Sequence, residues 1–89
     1  MILEMKKFGV ILNSRPSASE AVLRVKQIVN GSTDEEIILD YNSVEVLTPS
    51  FADELINGIK KLYPDKILKY AGYEDNEMVK DVLGKLGII

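Results

Sequence analysis

The stretch from Ile37 to Leu55 constrains the fold most. It opens on Ile37-Ile38-Leu39-Asp40, an apolar run closed by an acid. It breaks at the polar Tyr41-Asn42-Ser43 and turns apolar again over Val44-Glu45-Val46-Leu47. A helix then starts abruptly at Thr48-Pro49-Ser50. A continuous apolar run suits a strand covered on both faces. The helix that follows is the crossover that a parallel neighbour needs.

The flanking segments repeat this alternation. Met5 to Leu12 reads as a first strand, with Phe8, Val10 and Leu12 in period two, and Met1 to Glu4 as its extension or a frayed end. Asn13-Ser14-Arg15-Pro16-Ser17 breaks it and starts a helix that runs to about Asn30. Either Ser14 or Ser17 can cap that helix, the second with Glu20 closing a capping box. Ala18, Ala21, Val22, Val25, Ile28 and Val29 form its apolar face. Asn30-Gly31 ends it. The helix opened by Thr48-Pro49-Ser50 buries Phe51, Ala52, Leu55, Ile56, Ile59, Leu62 and Tyr63, and stops at Pro64-Asp65. Its acids, Asp53 and Glu54, read as first-turn residues and its lysines as last-turn ones, matching the helix dipole. Lys66 to Ala71 is the next strand. Asp75 or Asn76 caps a last helix with Met78, Val79, Val82, Leu83 and Leu86 on its buried face. The expected order is β-α-β-α-β-α: an α/β domain with a small, largely parallel sheet and helices packed against it.

Size and composition fit one domain over residues 1–89. Apolar residues make up 46%, enough for a core and against disorder. With neither cysteine nor histidine, disulfides, thiol catalysis and Ser-His-Asp chemistry are excluded, as is any Cys- or His-based metal site. The net charge of -3 comes from interspersed signs, and the only dense basic spots are the pairs Lys6-Lys7 and Lys60-Lys61. No nucleic-acid partner is expected from that pattern. No apolar run reaches the roughly 18 residues of a membrane span, and the N-terminus lacks the order of a secretory signal. The expectation is a cytoplasmic domain without cofactor or metal.

Few residues carry chemistry. No phosphate-binding glycine loop occurs. The pairs Glu35-Glu36 and Asp53-Glu54 lack the apolar flanks that would raise a carboxyl pKa, and read as structural or solvating. Asp40 ends a strand at the carboxyl edge of the sheet, where open α/β folds place their sites. It either joins a cation site or ties the following turn through its side chain, and a lone acid favours the turn. Ser50 is the leading candidate. Thr48 or Ser50 caps the helix, and the Ser50 hydroxyl sits at the positive end of its dipole. A phosphate there would add about -1.5 to -2 of charge and meet free backbone N–H groups, with Asp53 and Glu54 opposing it. The plain alternative is an ordinary cap contributing about 1 kcal/mol.

Ile37-Ile38-Leu39-Asp40, then Val44, Leu47, Thr48 and Ser50, resembles the STAS domain, whose members include the bacterial anti-sigma factor antagonists. Ser50-Phe51-Ala52-Asp53-Glu54-Leu55, with Ser14-Arg15 and Ala18 upstream, is more similar still to a small STAS-like family of uncharacterised function. The resemblance spans about Phe8 to Leu86. It implies a non-enzymatic partner-switching module. In the antagonists, a serine at the position of Ser50 is phosphorylated by a kinase with a histidine-kinase-like ATP-binding fold. Their usual Asp-Ser-Ser-Gly is replaced here by Thr48-Pro49-Ser50-Phe51, and the bulky Phe51 is expected to pack inward.

The reading that follows is a regulatory protein-interaction module. Ser50 would be its phosphoacceptor-like position. Ser14, Arg15, Thr48, Asp53 and Glu54 are the partner-binding candidates, and a histidine-kinase-like ATPase or other switch protein is the expected partner. Arg15 would supply a cation for a partner carboxylate or a phosphate. Two alternatives stay open: an unmodified assembly domain, dimeric through Ile88-Ile89 or an exposed strand, and a small-molecule binding domain, with a nucleotide as one such ligand, at the strand carboxyl ends. Catalysis ranks last, because no nucleophile has a base beside it.

Overall fold

The computed structural model describes residues 1–89. The strands are β1 (Ile2–Glu4), β2 (Ile11–Leu12), β3 (Glu36–Asp40), β4 (Val46–Leu47) and β5 (Ile67–Ala71). The helices are α1 (Arg15–Val29), α2 (Pro49–Leu62) and α3 (Glu77–Lys85), and a 3-10 turn spans Met5–Phe8. The strands form two parallel sheets, one ordered β1-β3-β5 and the other β2-β4. The expected α/β class, with parallel strands and helices packed on them, is what the chain forms. No helix is long and apolar enough to cross a membrane.

The single first strand expected over Met5–Leu12 is in fact two short strands in two sheets. Ile2, Leu3 and Glu4 pair with Ile38, Leu39 and Asp40, so the segment expected to extend or fray is the strand itself. Met5 tucks fully into the core while Lys6 and Lys7 stay in solvent, a placement that a helical turn allows and a strand does not. Gly9 then takes φ +125, a left-handed conformation that glycine adopts freely, and redirects the chain into β2.

The three-stranded sheet is covered on one face. Ile37 and Leu39 are fully buried, whereas Ile38 between them is only half-buried. Its neighbours on the outer face, Ile2 and Ile67, are 63% and 55% exposed. The reason is topological. The crossovers β1 to β3 and β3 to β5 step in the same direction, and right-handed crossovers then put their helices on the same side. The apolar run therefore marks one core face plus one outward isoleucine, not a sandwiched strand.

The 20 fully buried residues are all hydrophobic, so the core desolvates no charge. α2 supplies Phe51, Ala52, Leu55, Ile56 and Ile59. Burying each large one is worth about 1.5–3 kcal/mol, so this helix anchors the layer. Gly58 brings α1 close: a Cβ there would lie 2.7 Å from Val22 Cγ2. Three residues expected inside, Ile28, Leu62 and Met78, are at least two-fifths exposed because they fall at the margins of their helical faces. Tyr41, read as part of a polar break, is instead buried, since it continues the inward alternation of Ile37 and Leu39. The C-terminal tail folds back on α3, where Ile88 N–H donates to the Leu83 carbonyl.

Candidate functional site

The candidate residues gather where two helices start side by side. Ile11 and Leu12 pair in parallel with Val46 and Leu47, and the Thr48 N–H donates to the Leu12 carbonyl at 2.9 Å. Both strands pass almost at once into helix caps, so the register of β2 on β4 places the N-termini of α1 and α2 together. Each cap residue is extended, as capping requires: Ser14 at φ -149, ψ 153 and Thr48 at φ -100, ψ 154.

Both competing cap assignments are resolved. Ser14 Oγ accepts the Ser17 N–H at 3.2 Å, so Glu20 closes no capping box. Thr48 Oγ1 accepts the Phe51 N–H at 3.3 Å. A β-branched threonine at this cap leaves Pro49 at the first helical position, where a missing N–H costs nothing. Ser50 is consequently the second residue of α2, exposed, with a hydroxyl that caps nothing. Phe51 is 1% exposed and pins the helix start to the core, as its size suggests.

With the helix beginning at Pro49, Asp53 and Glu54 fall beyond its first turn, which holds no acid. They do not serve the dipole as expected. Arg15 Nη1 reaches across from α1 to Asp53 Oδ2 at 3.4 Å and Glu54 Oε2 at 3.2 Å. Ser19 Oγ adds a bond to Glu54 Oε1 at 3.4 Å, and Asn57 Nδ2 donates to Asp53 Oδ1 at 2.9 Å. Ser19 and Asn57 escaped notice in the sequence. Each lies four residues after a candidate, Arg15 or Asp53, which puts it on the same helical face. Arg15 and the two acids are each two-fifths exposed or more, so the cluster contributes at most about 1 kcal/mol and is easily rearranged.

Asp40 ties its turn: Oδ1 accepts the Asn42 N–H at 2.9 Å. Gly72, at φ +74, passes so close that a Cβ would overlap Asp40 Oδ1 and approach the Asn42 nitrogen to 2.6 Å. Beneath this turn the Tyr41 hydroxyl is buried without a hydrogen-bond partner. Burial, and then the neighbouring Tyr70, push its ionisation well above the ordinary tyrosine range. Burial also raises Tyr70. Asn76 caps α3 by accepting the Val79 N–H at 3.1 Å, and its Nδ2 donates to the Val44 carbonyl at 3.0 Å. That bond fixes the loop leading into β4.

The site thus has an exposed hydroxyl at a helix N-terminus, one exposed cation and two carboxylates. It has no buried acid or base to activate a nucleophile. Surface grooves run along α3 and around the Pro64–Ile67 turn.

Comparison with known proteins covers part of this region. The family model described as "STAS-like domain of unknown function (DUF4325)" matches residues 21–78. The match takes in β3, β4, α2 and β5, including Thr48 and Ser50, and leaves Ser14 and Arg15 outside. Neither the curated proteins nor the solved structures give a match. The chain belongs to the family of STAS-like domains of unknown function.

Proposed function

We propose that the domain is a non-enzymatic regulatory module that docks a protein partner through the paired N-termini of α1 and α2, with Ser50 as a phosphorylatable switch. One observation carries this reading: Thr48 takes the capping bond, which leaves the Ser50 hydroxyl exposed and structurally idle in the first turn of α2. A phosphate at Ser50 would add about -1.5 to -2 of charge at the positive end of the helix. It would compete with Asp53 and Glu54 for Arg15, so modification would redraw the surface that a partner meets. A histidine-kinase-like ATPase is the class of partner that a STAS-like scaffold suggests. The test compares Ser50→Ala with Ser50→Asp as baits in lysate of the source organism. The expected result is an ATPase retained by Ser50→Ala and lost by Ser50→Asp. Identical retention by both would sink the switch.

A second reading, an unmodified assembly domain, draws on the bare outer face of the sheet at Ile2 and Ile67. Light scattering on a size-exclusion column tests it: a concentration-dependent dimer supports it, and a monomer at high concentration removes it.

A further inference from the structure

At the other end of α2, about 15 Å along the helix from Ser50 at 1.5 Å per residue, the sheet is left open. β5 is an edge strand and pairs only with β3. The Ile67 N–H donates to the Glu35 carbonyl and the Ala71 carbonyl accepts the Tyr41 N–H. The parallel register then turns Ile67, Lys69 and Ala71 toward β3. The main-chain N–H and C=O groups of Leu68 and Tyr70 point the other way and bond to nothing in the chain. Beside them runs a groove of about 510 Å³. Its apolar lining comes from Tyr63, Leu68, Tyr70, Leu86 and Ile88.

Charge selects the occupant. Acids outnumber bases in the chain, fourteen to eleven, yet no acid lines this groove. Two lysines do, Lys60 and Lys66, and neither makes an ion pair. Lys66 donates to the Asp34 carbonyl, and Lys60 is exposed and free.

We propose that the β5 edge binds an extended acidic segment of a partner protein by strand addition. The segment's backbone would pair with Leu68 and Tyr70. On the face turned to the groove, its apolar side chains would pack on Leu68 and Tyr70 and its carboxylates would meet Lys60 and Lys66. This surface is separate from the Ser50 end, so the domain would hold a partner by one edge while Ser50 governs the other.

The experiment is a titration of ¹⁵N-labelled protein with a capped octapeptide Val-Thr-Glu-Thr-Val-Thr-Glu-Thr, which puts its valines and glutamates on one face of a strand. The same peptide with lysine for glutamate is the control. The expected result is that the Leu68 and Tyr70 amides shift and gain protection from hydrogen exchange with the glutamate peptide alone. Lys60→Glu, at an exposed position that bonds to nothing, is expected to weaken that binding about tenfold. The proposal is overturned if those amides do not respond, if both peptides act alike, or if Lys60→Glu binds as tightly as the parent. It is also overturned if the two amides become protected as protein concentration rises without peptide, since the edge then belongs to a second copy.

Discussion

The Thr48 hydroxyl accepts the Phe51 N–H at 3.3 Å, and this bond separates the structural role at the start of α2 from the exposed Ser50 between them. Thr48→Ala is expected to cost about 1 kcal/mol, the usual worth of a cap. Ser50→Ala is expected to stay within about 0.5 kcal/mol of the parent, as surface changes do. Urea unfolding of both variants checks this. A Ser50→Ala loss equal to that of Thr48→Ala would make Ser50 a cap after all.

Gly58 lets α1 and α2 approach through Val22. A Cβ at Gly58 would sit 2.7 Å from Val22 Cγ2, well inside the ordinary carbon contact of about 3.5–4.0 Å. Val22 is β-branched and has little rotamer freedom on a helix. Gly58→Ala should therefore lose about 1–2 kcal/mol, despite the roughly 1 kcal/mol that alanine gains in helix propensity. Adding Val22→Ala should restore part of the loss. A double-mutant cycle with coupling below about 0.5 kcal/mol would contradict the contact.

Tyr41 carries a buried hydroxyl without a partner. Removing it in Tyr41→Phe should be neutral or stabilising, because an unsatisfied polar group costs more than it returns. The pH dependence follows from the raised ionisation. The unfolded chain ionises this tyrosine near its ordinary value of 10.0 and the folded chain does not. Its ionisation thus leaves folding untouched below about pH 10 and destabilises the fold progressively as pH rises from there toward the folded value. Denaturant unfolding at pH 9 and pH 11 should show a smaller alkaline loss in Tyr41→Phe than in the parent. Equal losses would mean that Tyr41 is hydrated.

Arg15 joins α1 to Asp53 and Glu54 at the surface, with all three side chains two-fifths exposed or more. Arg15→Ala should cost less than about 1 kcal/mol at low salt. The difference should vanish at 1 M salt, where screening extends over only about 3 Å. A larger, salt-independent loss would show that Arg15 acts by packing instead.

Local chemistry made the helices legible. Proline followed Ser14 and Thr48, Asn76 preceded an apolar face, and the size of Phe51 foretold its burial. The apolar run at Ile37 also marked a parallel strand, though not its bare outer face, because only the strand order decides where both crossovers lie. The break between β1 and β2 was hidden because Phe8, Val10 and Leu12 keep period two in the sequence across the end of the 3-10 turn and Gly9, where the chain changes direction. Gly58 against Val22 and Arg15 against Asp53 were invisible for a different reason. Each joins positions more than thirty residues apart that meet only once α1 and α2 pack. At the candidate site, Arg15, Asp53 and Glu54 were found as separate residues, while their mutual pairing came from the fold.

Phosphopeptide mapping of the domain purified from its own source tests the switch most directly. The predicted result is a single phosphate, on Ser50, whose occupancy changes with growth conditions. Ser50 unmodified in every condition, or a phosphate confined to other hydroxyls such as Ser14 or Ser17, would contradict it.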